Sequence, residues 1–351
     1  MSSSIYIMRR GEDIVIIYDY VDDFIFTGNR RSLTEEMIAL FRKECDTTEP
    51  IWDADWILGM ELKRDRSKKI VKITMVRKIE EVCAKAGVDM ETKRVPIPTS
   101  GYIVKDAEFE AIENQGLAQF LDAAGITEYM VIVGGLIWVS GLRFDILFST
   151  MYLAWSTKQP RKHHLKMARH VLMYLYTTKD TPLVLGGLAD LDVITYTDAS
   201  LGTASRGRSV IAHATKLNEH AGVVSAHTKA TAVVFTSSFE SELDGVAKGM
   251  KGNSCVRNVA VELRQKLKNV PKLWSDNMAM VRFVQRVGVA NGVRHMELRM
   301  WYVRERYKQG NVLIDWMSGV TIPADKLTKL GTREEHEAFT YQIMGLGLLL
   351  D

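Results

Sequence analysis

Cysteine is scarce. The 351 residues hold three, Cys45, Cys83 and Cys255, far apart and with no C-x-x-C pair. That argues against a disulfide framework or a thiolate zinc site and suits a reducing compartment. The opening MSSSIYIMRRGED lacks the apolar stretch of a secretory signal. The longest apolar run, around Met130 to Leu142, contains two glycines and is shorter than a bilayer crossing needs, so no membrane partner is expected. No fixed-period repeat or low-complexity tract is visible, which sets solenoids and propellers aside.

What is present is the mix of a folded chain of about two domains: 46% apolar and 25% charged residues. The net charge of +3 is uneven. Residues 1–60 carry twelve acids against six bases, so the remainder is basic and suited to an anionic partner.

Along the chain, IVIIYDYV (14–21) and FIFTG (24–28) read as strands around an Asp22-Asp23 turn. SLTEEMIALFRKE (32–44) reads as a helix with Ser32 as N-cap and Glu35 completing a capping box. A strand pair (56–65, 69–76) and a helix (77–88) follow, then a proline-bearing linker at 94–102. Residues 110–180 read mostly as helix. Strands return at 193–200, 209–215 and 222–228, followed by a long helix from Ser238 to Leu267, a strand at 272–276 and another helix. The expected division is an α+β unit, a helical connection and a separate α/β unit from about residue 190.

Four acids invite a chemical reading. In SSFESELDGVAKGM, Phe239, Leu243, Val246 and Met250 share a helical face, and Glu242 lies with them, where an unpaired carboxylate is costly. The spacing predicts Glu240 and Asp244 on the opposite, solvated side. A helix boundary that leaves Glu242 at the rim is equally compatible with the periodicity. Asp198 and Asp276 end apolar strands, and Asp325 follows Pro323. Turn formation or helix capping would explain each singly. As a set they are hard oxygen ligands suited to Mg²⁺, and a pair of such ions can activate water against a phosphodiester.

Tyr20-Val21-Asp22-Asp23 between apolar strands resembles the YVDD box of reverse transcriptases, and further segments resemble the Pol polyprotein of copia-type retrotransposons in the same order. These are FIFTGN, ILGMELKRD, VPIPTS, VGGLIWVSGLRFDI, HLKMARHVLMYLYTTKD, TYTDAS, TSSFESELDGVAKG, LWSDNMA, VRHMELRMWYVRE and PADKLTK, from residue 14 to about 345. The family often has tryptophan at Ala226 and proline at Phe144.

The resemblance implies a partial reverse-transcriptase palm and start of thumb (1–104), a helical thumb or connection (105–189) and an α/β ribonuclease H-like domain with a C-terminal tail (190–351). It implies ribonuclease H acids at Asp198, Glu242, Asp276 and Asp325, and polymerase metal ligands at Asp22 and Asp23, with Tyr20 near the primer end. Mg²⁺, or Mn²⁺ in its place, would be the cofactor. Partners would be an RNA–DNA hybrid, a template-primer and the rest of the Pol polyprotein. The place would be intracellular, in the cytoplasm (as a virus-like particle) and the nucleus, with DNA integration as the wider process. Only 19 residues precede Tyr20, so the expectation is a fragment of a longer polyprotein or a decayed copy, without fingers and without independent DNA synthesis. His295 matches a family histidine.

Between Asp145 and Asp180 there is no acid, and Lys162, Lys166 and Arg169 share one helical face. That stripe either follows a phosphate backbone or is a solvated face over a core helix. His163-His164 lacks a third metal ligand at suitable spacing. Two rival readings stand beside the hybrid-cleaving enzyme: an inactive nucleic-acid-binding remnant, and a nuclease of the same fold acting on DNA.

Overall fold

The computed structural model describes residues 5–87, 95–98, 120–204, 207–286 and 297–350; His295 lies outside them. By internal contacts the chain forms two compact units, Met1–Ala54 with Val259–Gln265, and Asp55–Asn258 with Lys266–Asp351. The division at 104/105 and 189/190 follows the element pattern of the sequence and the family resemblance, not this compactness.

In the first unit, β1 (Ile5–Arg10), β2 (Asp13–Tyr20) and β3 (Asp23–Gly28) form an antiparallel sheet, followed by α1 (Arg31–Glu44). Alternating apolar residues put Val15 and Ile17 of β2 against Leu33 and Met37 of α1. Strand β1 was not expected from the sequence. It pairs through a tight turn at Gly11-Glu12, where Gly11 takes a φ of +61°. The second turn is Val21-Asp22 rather than Asp22-Asp23, since Asp23 already pairs with Tyr20. Helix α1 starts one residue earlier than expected. Arg30 stands at its N-cap without a side-chain cap, and the Ser32 hydroxyl accepts from Arg30 Nε instead.

The second unit holds two sheets. The first is antiparallel, in the order β4 (Trp56–Ile57), β5 (Met60–Asp65), β6 (Ile70–Thr74), β7 (Leu183–Gly186). Helix α2 (Val76–Ala86) ends at Gly87, in the left-handed region at φ +60°. It packs with α3 (Ala123–Ser140), α4 (Leu147–Trp155) and α5 (Lys162–Thr177) around Ile79, Val82, Tyr129, Leu136, Leu153 and Leu172. Helix α3 is longer than the run from Met130 to Leu142 suggested. By length and composition alone it could cross a membrane, but Tyr129, Ile132, Val133, Leu136 and Val139 are buried in this core.

The other sheet runs β10 (Val223–Ala230), β9 (Arg208–Lys216), β8 (Ile194–Ala204), β11 (Lys272–Ser275), β12 (Leu313–Trp316). Strands β8, β9 and β10 are antiparallel, while β11 runs parallel to both β8 and β12. Helix α6 (Ser238–Glu262) connects β10 to β11, and α7 (Met278–Gln285) and α8 (Glu297–Lys308) lie between β11 and β12. A short 3₁₀ turn, Pro323–Leu327, and α9 (Arg333–Ile343) complete it. Three antiparallel strands followed by two parallel ones, with helices in the connections, is the ribonuclease H-like arrangement the resemblance implied.

Beneath the helices lies a buried ionic network. Arg143 grips Asp145 through two bonds of 2.8 and 2.7 Å. The Tyr174 hydroxyl donates to Asp145 at 2.7 Å, and His336 of α9 meets that hydroxyl at 3.0 Å. Both charges of the pair are fully enclosed, so the bidentate geometry must offset their lost hydration.

Candidate metal centre

Asp198 lies on the central strand β8, one residue past Thr197, which pairs with Ser275 of β11; Asp276 directly follows Ser275. The parallel register therefore sets the two aspartates side by side where β11 ends, although Asp198 lies midway along β8, which runs on to Ala204 instead of ending at Asp198 as the sequence pattern suggested. The next residue, Asn277, caps α7 by accepting from Met280 N at 2.9 Å, so Asp276 is released from capping.

Glu242 comes from the first turns of α6, which lies close on the sheet because its facing positions are glycines. A Cβ on Gly249 would stand 2.2 Å from Thr197 Cγ2, closer than atoms approach. The stripe carrying Glu242 is thus Gly245, Gly249 and Asn253, beside the Leu243–Val246–Met250 stripe rather than within it. Asn253 reaches Thr195 Oγ1 at 3.0 Å. Glu240 and Asp244 are buried as well, contrary to the periodicity. Glu240 closes the helix start by accepting from Thr236 N at 2.8 Å, and Arg299 of α8 covers Asp244 at 2.9 Å.

Ligand atoms of Asp198, Glu242 and Asp276 lie within 4.8 Å of one another. Glu242 is 6% exposed, and its buried Oε2 has no hydrogen-bond partner. Burial, aided by Asp198 and Asp276, pushes this carboxyl up to about 9, against the pull of Lys329. Burial pushes Asp198 up to about 6, although the Thr328 hydroxyl donates to its Oδ2. Burial and then Asp325 raise Asp276. Three acids too close to ionise together, one with an orphaned oxygen, fit a divalent cation with oxygen ligands.

Asp325 acts electrostatically on Asp198 and Asp276 but is not among the acids grouped within 4.8 Å; it lies within the 3₁₀ turn and not at a helix cap. It is ion-paired to Lys329 Nζ at 2.5 Å and Lys326 Nζ at 3.1 Å. Thr328 and both lysines lie within PADKLTK, yet their spacing alone carries no signal of a role here. Trp316, whose indole donates to Asp276 O at 2.9 Å, carried no signal at all.

The remaining expected residues lie elsewhere. Tyr20, Asp22 and Asp23 are exposed on the β2–β3 hairpin of the first unit, and among the described residues the two aspartates join no three-ligand cluster. Lys162 and Lys166 are exposed on α5, whereas Arg169 is gripped by Glu128 of α3 at 2.5 and 2.6 Å. His164 is buried, accepts from Arg161 N at 3.1 Å, and is pushed down to about 3 by that burial.

No protein-family model matches the chain. Curated relatives do. The chain is 24% identical over 348 residues to the retrovirus-related Pol polyprotein from transposon RE2 of Arabidopsis thaliana, which spans 97% of this chain and 22% of that polyprotein. It is 22% identical over 340 residues to the one from transposon TNT 1-94 of Nicotiana tabacum, spanning 95% of the chain and 24% of the relative. With the transposon Ty1-DR1 Gag-Pol polyprotein of Saccharomyces cerevisiae it shares 25% identity over 270 residues, 72% of the chain and 15% of that protein. The chain therefore spans about a fifth of the length of these relatives. Among solved structures, LC11-RNase H1 isolated from compost aligns with a TM-score of 0.31 at 14% identity, covering 39% of this chain and 91% of that one. The foamy viral protease-reverse transcriptase in complex with double-stranded DNA aligns at 0.41 and 11% identity, covering 86% and 46%. The curated homologues of this chain are thus retrovirus-related Pol polyproteins of copia-type transposons, matched over most of its length.

Proposed function

We propose that the second unit hydrolyses the RNA strand of an RNA–DNA hybrid. The observation that carries this reading is the meeting of Asp198, Glu242 and Asp276 around the partnerless Glu242 Oε2. These residues would hold Mg²⁺, or Mn²⁺, which when bound activates a water and stabilises the leaving oxygen of a phosphodiester. Asp198 contributes from the middle of β8 and Asp276 from the end of β11, Glu242 closes the site from α6, and the Thr328 hydroxyl holds the Asp198 side chain. The hybrid would be recognised by groove shape and 2′-hydroxyls, with Lys162 and Lys166 along a phosphate backbone. Asp22 and Asp23 would serve nucleotide addition as part of the longer Pol polyprotein, whose remainder is the expected partner.

A second reading is a binding remnant without catalysis. It is favoured by Asp325 being held on two lysines instead of joining the ligand set. Cleavage of a labelled hybrid in Mg²⁺ separates the two. Activity lost in Asp198→Asn supports the hydrolase. No activity in either protein supports the remnant, and equal cleavage of duplex DNA would point to a DNA nuclease.

A further inference from the structure

Among the described residues, Lys329 faces the acidic cluster. Its Nζ lies 2.5 Å from Asp325 Oδ1, one helical turn away in sequence, and its side chain is 53% exposed. It acts electrostatically on Asp198, Glu242 and Asp276 as well. Lys326 differs. It takes the other Asp325 oxygen at 3.1 Å but is equally bound to Glu335 at 3.0 Å, with only 16% of its side chain exposed, so its charge is already matched.

The consequence is an asymmetry within four carboxylates. Glu242 keeps a buried, partnerless oxygen within the group it forms with Asp198 and Asp276, and among the described residues no ammonium is ion-paired to this triad. Asp325 lacks nothing, because each of its oxygens carries an ammonium. We propose that Lys329 is a built-in counter-ion that competes with a second divalent cation for Asp325, so that the triad takes one ion readily and the second only as Lys329 lets go. This rests on the metal-site reading above and adds the order of occupancy. Lys329 acts here as a positioning residue through Asp325. Its half-exposed side chain has a way out to solvent, which a buried partner would not have.

The test counts bound ions without turnover. The whole chain is titrated with Mn²⁺ and free ion is measured by electron paramagnetic resonance, for wild type, Lys329→Gln and Lys329→Arg, each also in an Asp325→Asn background. Wild type is expected to bind one ion well and a second at least tenfold more weakly. Lys329→Gln should tighten the second ion about tenfold, Lys329→Arg should behave as wild type, and the gain should vanish with Asp325→Asn. An unchanged second affinity in Lys329→Gln overturns the inference, as does the same gain in the Asp325→Asn background. If wild type and Lys329→Gln both bind no Mn²⁺, the metal-site reading itself falls and this inference with it.

Discussion

Without a divalent cation, Glu242 should be a burden on the fold, and replacing it should stabilise the protein while destroying its chemistry. The folded carboxyl is pushed from 4.5 to about 9, so it stays protonated at neutral pH, whereas the unfolded chain carries it ionised. Each pH unit between those values costs the folded state about 1.4 kcal/mol. At pH 7 the cost reaches about 3 kcal/mol. Glutamine has no proton to acquire and escapes it. Urea unfolding of wild type and Glu242→Gln with chelator present, at pH 5, 7 and 8.5, reads the difference. The two should nearly coincide at pH 5, and the variant should pull ahead as pH rises towards 9, where the gap stops growing. Adding Mg²⁺ should raise the wild-type midpoint and leave the variant much less changed. A stability difference independent of pH, or a wild type more stable than the variant at pH 8.5 in chelator, would refute the reasoning.

Gly249→Ala should overpack α6 against Thr197, costing about 1–3 kcal/mol in urea unfolding, and should lower the stabilisation gained from Mg²⁺ because Glu242 is lifted from the strands. Arg143→Met should cost about 3–5 kcal/mol in the same measurement, because Asp145 would remain enclosed without its cation. In filter-binding titrations of an RNA–DNA hybrid against salt, Lys162→Ala with Lys166→Ala should reduce the logarithmic slope by about 2. Arg169→Ala, whose charge Glu128 already matches, should leave that slope as it is.

Part of this arrangement was legible because it is local. Asp276 ending an apolar strand, and a glutamate intruding beside a buried helical stripe, can be read from a few residues each, whereas β8 runs six residues past Asp198 because its pairing with β9 continues. The strand order that brings Asp198 beside Asp276 is not local, and only the family resemblance supplied it. The error over Glu240 and Asp244 has a physical source. A helical wheel assumes one wet face, but α6 meets strand β8 on one side and Arg299 of α8 on another, leaving little for water. Arg143 and Asp145 look like surface charges in sequence, and their enclosure depends on Tyr174 and His336, both distant along the chain. Lys329 was passed over because its meaning lies in which acids it faces.

Strand β7, only four residues long, is a seam between the two sheets of the second unit. It pairs with β6, while Val184 donates to Met344 O at 2.9 Å and accepts from Gly222 N at 2.7 Å. Asn218 donates to Gly186 O at 3.0 Å across the same junction. A polypeptide excised to begin after residue 190 would strip these partners from the turn before β10 and from the end of α9, and would open the apolar cluster that Leu183 shares with Val223, Ile343 and Met344. The segment that carries the acids therefore inherits its edge from chain made earlier in translation. Damage to the preceding helices or to β6 would be felt in the sheet that aligns Asp198 with Asp276, though none of those residues touches the reacting groups.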